Sequence, residues 1–257
     1  MRDGEVNELY LIIQGVKIMV KLFWYIYFAI FLSIASISRI KVAYLRKRDS
    51  KAADLYAYKR VQSISNYVLK KSKTKVNIIG KENIPNEPCV FVSNHQAIFD
   101  AFLLLATIDS VTGFIAKKEI DKIPLIGKWM REIHTIYLDR SNIREGMKVI
   151  IEGAEHVKNG FNMVIFPEGT RSLSSEMGEF KKGSLKLALK AKAPVVPITI
   201  DGTYRVLEVG KKVRGHKITI MFHKPIYVQN LSKEEQKDIS ETVHAIVKGG
   251  LKGIVSS

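Results

Sequence analysis

The chain has 257 residues, 46% of them hydrophobic, which is enough for one large domain with its own core and a short additional segment. Its 41 Lys and Arg residues against 25 Asp and Glu residues give a net charge of +16, which predicts an anionic partner: nucleic acid, a membrane surface or a phosphorylated substrate. No nucleic-acid-binding motif accompanies the charge. The single cysteine, Cys89, excludes an intrachain disulfide and lies in an apolar run, where we expect a buried packing residue.

The N-terminal region contains an apolar stretch, residues 22–38, with no charged side chain over 17 positions. This length is at the short limit for a membrane-spanning helix. Extended back to residue 9, the same stretch places Gln14, Lys17 and Lys21 at helical spacing, which is typical of a helix lying in the membrane interface. Both interpretations, spanning and interfacial, remain open at this point.

A basic cluster follows, with six Lys or Arg residues against one acidic residue between positions 39 and 51. Such a cluster favours the cytoplasmic side of a membrane and attracts anionic lipid. Residues 52–71 then form a second predicted helix with an apolar stripe. We therefore predict a two-helix membrane-association segment over residues 1–73 and an α/β domain over residues 74–257. The chain is expected at the cytoplasmic face of a membrane, the cell membrane if the organism is bacterial.

From residue 75 onward, predicted strands and helices alternate. The strands are short apolar runs at residues 76–80, 89–93, 111–116, 134–138, 162–166, 195–200 and 218–222. The helices are predicted near residues 98–108, 124–132, 142–159 and 183–193. This alternation predicts an α/β fold with a mostly parallel central sheet flanked by helices.

Two helices carry capping signals. Asn142 begins a capping-box pattern at the start of the helix over residues 142–159. Ser232 with Glu235 predicts the start of a last amphipathic helix, and the glycines at residues 249–250 predict that this helix frays there.

Charged and polar side chains follow several of the predicted strands immediately. They are His95, Lys117, Asp139, Arg140, Glu168 and Arg171. Because the carboxyl ends of parallel strands meet at one edge of a sheet, where ligands bind in open α/β folds, we expect these side chains to converge on one cleft.

His95 and Asp100 are the candidate catalytic pair. They are five residues apart, a spacing that brings two side chains together only across a turn. A strand up to residue 93, a loop, and a helix from residue 98 supply that turn. Asp100 can then accept a hydrogen bond from one imidazole nitrogen, which leaves the other neutral and able to take a proton from a hydroxyl group. The arrangement follows Ser-His-Asp chemistry, with the substrate's alcohol in place of the serine.

Two strings carry a family resemblance. Residues 94–100 read NHQAIFD and residues 166–172 read FPEGTRS, which resemble the paired NHxxxxD and FPEGTRS motifs of the glycerolipid acyltransferase family. Between them, GFIAKKE with IPLIG is similar to the second motif of this family, and VVPI at residues 195–198 is similar to its fourth. The resemblance covers about residues 75–225.

The resemblance implies transfer of a fatty acyl group from an acyl thioester to the sn-2 hydroxyl of 1-acylglycerol 3-phosphate (lysophosphatidic acid), giving phosphatidic acid. The donor would be an acyl carrier protein or coenzyme A thioester, with no cofactor and no metal. Nucleic acid is not an expected partner, whereas an anionic membrane surface is. Glycerol 3-phosphate or another lysolipid is the alternative acceptor. A non-catalytic peripheral phospholipid-binding protein is the alternative from a different functional class.

The FPEGTRS string supplies the predicted acceptor site. Arg171 is the phosphate anchor, because its guanidinium can hold two phosphate oxygens at once, and the resemblance assigns the matching Arg the same task. By resemblance, Glu168 helps to hold the glycerol part. Gly169 allows the backbone close to the ligand, and Thr170 is expected to donate to it.

Several lysines add positive charge near the predicted site. Lys117 is expected to contact the same phosphate, but its neighbour Lys118 could do so instead, because adjacent residues of a strand point in opposite directions. Lys181, Lys182 and Lys186 are expected either to steer phosphate or acyl-carrier substrates or to form a solvated helix face.

Overall fold

The structure is a computed structural model that describes residues 19, 22, 26, 27, 29–139, 143–207 and 216–255. The chain divides into two compact units, Met1–Ala53 and Asp54–Ser257. The strands are β1 Lys75–Ile79, β2 Val90–Ser93, β3 Thr112–Lys117, β4 Ile136–Leu138, β5 Asn162–Ile165, β6 Val195–Asp201 and β7 Lys217–Phe222. The helices are α1 Arg39–Arg46, α2 Ser50–Lys71, α3 Phe99–Thr107, α4 Lys118–Asp121, α5 Ile126–Glu132, α6 Ile143–Lys158, α7 Lys186–Ala191, α8 Tyr204–Leu207 and α9 Lys233–Val255.

The seven strands form one sheet in the order β1-β7-β6-β2-β5-β3-β4. All neighbouring pairs are parallel except β6 with β7, so β1 and β7 run against the other five strands. The predicted α/β fold with a mostly parallel sheet is therefore confirmed. Strand β2 lies at the centre, and all four of its residues are buried because both faces of the sheet are covered. Cys89 beside it is also buried, as predicted, and burial raises the pKa of its thiol.

The first unit carries an exposed apolar stripe. Residues 29–37 are helical, and Ile30, Ile34, Ile37 and Ile40 recur every three or four positions with 55 to 73% of their surface exposed. The predicted helix over residues 9–38 lies partly outside the described residues. Among those that are described, we find no helix with both the length and the apolar character needed to cross a membrane.

Helix α2 contributes to the sheet-containing unit from Asp54 onward. The Tyr58 hydroxyl donates to the carbonyl oxygen of Ile108 at 3.0 Å, and the Gln62 amide donates to the same oxygen at 2.9 Å. The Asp54 carboxylate lies 3.1 Å from His134 Nε2. This part of the helix is fixed against the segment that links α3 to β3.

The last helix begins as predicted but does not end as predicted. The Ser232 N–H donates to Glu235 Oε2 at 2.7 Å and the Glu235 N–H donates to Ser232 Oγ at 3.2 Å, which is a complete capping box. Helix α9, however, continues through both glycines to Val255. A Cβ atom at Gly250 would lie 2.3 Å from Thr199 Oγ1, so this glycine permits close packing of α9 on β6 and is not a stop signal. The predicted fraying at residues 249–250 was wrong.

His223, the residue after β7, contacts β6 at the place where α9 packs on that strand. Its Nε2 lies 2.8 Å from Thr199 Oγ1, which itself donates to the carbonyl oxygen of Val247 at 3.0 Å. Because the Thr199 hydroxyl donates its one proton to Val247, it can only accept from His223. We therefore assign the proton of the neutral His223 ring to Nε2. Burial lowers the pKa of His223 below its ordinary value.

The free energy of unfolding is expected to fall as pH drops below about 6.5, the ordinary pKa of histidine. Because the folded-state pKa of His223 is lowered, the unfolded chain binds the proton more readily in this range. The His223→Gln variant keeps a donor for Thr199 but does not titrate. Urea denaturation at pH 7.5 and pH 5 should show a smaller loss of stability in the variant, and an equal loss in both proteins would contradict this role.

Candidate active site

The predicted site residues lie at the edge of the sheet where β2, β3, β5 and β6 all end, since these four strands are parallel. Asn94 shows how the edge is built. Its side-chain amide donates to the carbonyl oxygen of Ile200 and its side-chain oxygen accepts the Ile200 N–H, both at 2.8 Å. The buried Asn94 side chain thus prolongs the pairing of β2 with β6, and the chain can turn immediately afterwards.

The turn brings His95 and Asp100 together as the sequence predicts. Strand β2 ends at Ser93, α3 begins at Phe99, and His95 Nδ1 lies 2.6 Å from Asp100 Oδ2. The Asp100 side chain is fully buried, whereas that of His95 keeps 18% of its surface exposed. With Nδ1 committed to the carboxylate, Nε2 is the nitrogen that remains for a substrate.

The Asp100 carboxylate is held from several directions. Its Oδ2 also accepts the backbone N–H groups of Gln96 at 2.7 Å and Ala97 at 2.9 Å. Its Oδ1 accepts a short hydrogen bond from the Thr203 hydroxyl, which comes from the turn after β6. Backbone and side-chain donors thus replace the water that a buried carboxylate has lost, and they fix its position under His95.

Gln96 and Thr203 were not predicted from the sequence. Gln96 is buried, its Oε1 accepts the Gly202 N–H at 2.9 Å, and its amide donates to Asp201 at 3.3 Å. Thr203 is also buried and has Gln96 Oε1 at 3.3 Å as a second acceptor for its hydroxyl. The polar residues that follow the buried strand β6 were the available signal, because they end at the same edge of the sheet as His95.

Glu168 braces the loop that carries His95. One carboxylate oxygen accepts the His95 backbone N–H at 2.7 Å, and the other accepts the Gly178 N–H at 2.8 Å. Burial raises the pKa of the Glu168 carboxyl above its usual range, while these two donors act in the opposite direction. The sequence did not indicate that Glu168 holds the backbone in this way. Its predicted contact with a glycerol group remains a prediction.

Further backbone hydrogen bonds join the NHQAIFD loop (residues 94–100) to the FPEGTRS loop (residues 166–172) and the residue after it. The Ser172 N–H donates to the His95 carbonyl oxygen at 2.8 Å, and the Leu173 N–H donates to the Gln96 carbonyl oxygen at 3.1 Å. Phe166 stacks on the His95 ring, with the ring centroids 4.0 Å apart and the planes inclined by 18°. The histidine is therefore held between a carboxylate and an aromatic face, both buried or half-buried.

The outer part of the FPEGTRS loop (residues 166–172) consists of Gly169, Thr170 and Arg171. Gly169 has φ +71°, a left-handed backbone conformation that favours glycine, and the flexible end of the Lys181 side chain lies beside it, with Nζ 2.8 Å from where a Cβ would be. Lys181 therefore lies against this loop, and its backbone N–H donates to the carbonyl oxygen of Pro167 at 3.1 Å. The sequence suggested Lys181 only as a steering charge. Arg171 and Thr170 are exposed, and Arg171 directly precedes Ser172, which bonds to the backbone of His95.

Lys117 and Lys118 both lie at the end of β3. Lys117 forms an ion pair with Glu119 at 3.2 Å, and Lys118 forms one with Asp139 at 3.2 Å, which raises the pKa of Lys118. About half of each side chain is exposed. The choice between them stays open, and Arg140 lies outside the described residues.

Within the part of the chain that the structure describes, no group of three or more His, Cys, Asp or Glu side chains could hold a metal ion. The arrangement of a partly exposed imidazole, an orienting carboxylate and nearby cations suits proton transfer at a hydroxyl group of an anionic substrate.

Comparison with known proteins places this site in a family. The family model described as Acyltransferase matches residues 75–201, a range that includes both motif loops. A Mycoplasma pneumoniae protein named "Probable 1-acyl-sn-glycerol-3-phosphate acyltransferase" is 32% identical over 72% of this chain and 74% of its own length. The Brassica napus chloroplast 1-acyl-sn-glycerol-3-phosphate acyltransferase BAT2 is 37% identical over 67% of this chain, which spans about half (52%) of that relative.

A solved structure agrees with these sequence matches. The 1-acyl-sn-glycerophosphate (LPA) acyltransferase PlsC from Thermotoga maritima has a TM-score of 0.72 and 27% sequence identity, over 89% of this chain and 98% of that one. The fold, the two motif loops and the sequence matches agree: the chain belongs to the acyltransferase family.

Proposed function

We propose that the chain transfers a fatty acyl group from an acyl thioester to the sn-2 hydroxyl of lysophosphatidic acid, giving phosphatidic acid. The observation that carries the proposal is the His95–Asp100 pair, with Nδ1 and Oδ2 2.6 Å apart, bonded through its backbone to the loop that bears Arg171. Relatives named as acyltransferases for this acceptor support the choice of substrate.

In the proposed mechanism His95 is the general base. Its Nε2 takes the proton of the sn-2 hydroxyl as the hydroxyl oxygen attacks the thioester carbonyl carbon, and Asp100 stabilises the imidazolium that forms. The new C–O bond forms, the C–S bond breaks, and the departing thiolate receives the proton from the imidazolium. No acyl group is attached to the protein. Assistance of this kind is worth roughly 100- to 10,000-fold in rate.

The acceptor phosphate is proposed to bind Arg171, with Lys117 or Lys118 adding charge from the end of β3. Gly169 and Thr170 would supply the backbone approach and a hydroxyl donor, and Glu168 a contact to the glycerol part. The short connection from Arg171 through Ser172 to the backbone of His95 supports this arrangement, since it keeps an anion site and a base on adjoining loops.

Arg171→Ala is expected to raise the KM for lysophosphatidic acid by about 10-fold or more, because a hydrogen-bonded charge pair is worth about 1.5–3 kcal/mol. The KM for the donor should change little. Arg171→Lys should recover part of the loss, since it restores charge but not the two-pronged geometry. Steady-state kinetics with Arg131→Ala as a surface-arginine control would check this, and an unchanged acceptor KM would remove Arg171 from the site.

We also propose that the first unit binds the cytoplasmic face of an anionic membrane. The exposed isoleucine stripe and the basic cluster of residues 39–51 support this, because interfacial helices combine an apolar face with Lys and Arg.

Ile34→Glu with Ile37→Glu should reduce co-sedimentation with phosphatidylglycerol vesicles. Ile78→Glu, the same replacement at an exposed isoleucine of strand β1, is the control. Undiminished sedimentation of the double variant would contradict the proposal.

A thiol-release assay tests the acceptor. Acyl-coenzyme A or acyl carrier protein would be offered with lysophosphatidic acid, glycerol 3-phosphate and other lysolipids in turn. Thiol release that depends on lysophosphatidic acid supports the proposed function. Dependence on another acceptor would transfer the proposal to that substrate, and vesicle binding with no release would favour a non-catalytic lipid-binding protein.

A further inference from the structure

A second feature lies away from the His95 loop, between α7 and the start of α9. It is a groove of about 510 Å³, a size within the range of ligand pockets in proteins. The charged side chains that line it are four lysines, Lys182, Lys186, Lys233 and Lys237, all exposed. Among the described residues, none of them pairs with a carboxylate. The groove therefore brings together four lysines that form no ion pair among the described residues.

The floor of the groove is apolar apart from one hydroxyl. Leu185 and Ile239 are buried there, with 1% and 3% of their surface exposed. Ser240 also lines the groove, is 92% buried, and its Oγ has no hydrogen-bond partner in the described chain. An unpaired buried hydroxyl costs free energy, so it favours an occupant that enters the groove and brings a polar group to it.

The charges are arranged along the groove. Lys233 and Lys237 are four residues apart on α9, so they lie on the same helical face one turn from each other. Lys182 and Lys186 stand on the facing wall with the same separation in sequence. Two lysine-bearing walls and an apolar floor complement a convex helix with acidic side chains at its margins and apolar ones between them. A flat bilayer surface would not reach the floor.

The groove is connected to the catalytic edge. Lys182 follows Lys181, whose Nζ approaches Gly169, and Gly169 follows Glu168, which bonds to the backbone of His95 at 2.7 Å. A protein seated in the groove is thus a few contacts from the site where the thioester must react.

We propose that this groove docks an acidic helix of a carrier protein that delivers the acyl thioester. The proposal rests on the proposed acyl transfer and names its donor. The lysines recognise the carrier's carboxylates, Leu185 and Ile239 contact the apolar side of its helix, and the Ser240 hydroxyl pairs with a polar group on that same side. Acyl-coenzyme A has no such helix and does not use the groove.

The test is a charge reversal, Lys186→Glu with Lys237→Glu, in the full-length chain. The matched control is Lys190→Glu with Lys248→Glu, two exposed lysines on the same helices but outside the groove. Each protein would be assayed with palmitoyl-acyl carrier protein and with palmitoyl-coenzyme A, using lysophosphatidic acid as the acceptor, after circular dichroism has established equal thermal stability.

The groove variant is expected to raise the KM for palmitoyl-acyl carrier protein about 10-fold or more and to weaken its salt dependence, because charges at the rim of an interface control association. The KM for lysophosphatidic acid and the rate with palmitoyl-coenzyme A should stay within twofold of wild type. An equal effect on both donors, an unchanged carrier KM, or a loss of vesicle binding in place of carrier affinity would each overturn the proposal. Wild-type activity with palmitoyl-coenzyme A alone would also overturn it but leave the acyl transfer intact, whereas no activity with either donor would refute the acyl transfer itself.

Discussion

His95→Ala is expected to reduce acyl transfer by about 100- to 10,000-fold, the range that general-base assistance contributes. The imidazole is the group that would take the hydroxyl proton, and its Nδ1 is already bonded to Asp100 at 2.6 Å. The variant should still fold. The Glu168 and Ser172 contacts to position 95 are made by its backbone N–H and C=O groups, which alanine retains.

The measurement is single-turnover acyl transfer together with thermal denaturation, so that loss of chemistry is separated from loss of structure. His216→Ala, at the partly exposed residue before β7, is the matched histidine control and should leave turnover near wild type. Turnover close to normal in the His95→Ala protein, with its fold intact, would show that another group removes the proton.

Asp100→Asn is expected to lower turnover by a similar factor, since the charge that stabilises the imidazolium is lost. The site can accept the amide without rearrangement. The asparagine oxygen can take the place of Oδ2, which faces the N–H groups of Gln96, Ala97 and His95. The amide nitrogen then faces Thr203, whose hydroxyl can turn to donate to Gln96 Oε1 at 3.3 Å. The substitution therefore changes the charge more than the geometry.

The decisive comparison is kcat against KM for lysophosphatidic acid. We expect kcat to fall while the acceptor KM and the thermal stability change little, because Asp100 acts through His95 and does not touch the phosphate. Asp121→Asn, at a carboxylate ion-paired with Arg131 at 2.6 Å, controls for loss of one negative charge. An acceptor KM that rises as strongly as kcat falls would place Asp100 in substrate binding.

Much of the fold was accessible from local patterns. Short apolar runs separated by amphipathic helices predicted all seven strands. For the inner strands β2, β5 and β6 the physical reason is burial on both faces, whereas the edge strand β1 is largely exposed and was predicted from its Val and Ile residues. The turn between β2 and α3 and the His95–Asp100 contact followed from five residues of spacing. The end of α9 did not follow, because the role of Gly250 depends on Thr199 of β6, 51 positions earlier in the chain.

The support around the catalytic pair was harder to predict. Thr203 reaches Asp100 across 103 residues, and Glu168 reaches the His95 backbone across 73. Each contact depends on which strands are neighbours in the sheet and on their register, neither of which is written in any local stretch. For Glu168 the motif named the residue but not its backbone partners, because a carboxylate can accept from substrate hydroxyls and backbone amides alike.

The brace made by Glu168 has a practical consequence for engineering. The Glu168 carboxylate accepts the backbone N–H groups of both His95 and Gly178. Ser172 and Leu173 donate to the backbone of His95 and Gln96. We therefore expect the loops of residues 94–100 and 166–178 to move together. Grafting the FPEGTRS loop alone from a homologue of different headgroup preference would also displace the imidazole. Chimeras that retune selectivity should therefore exchange residues 94–100 and 166–178 as one cassette.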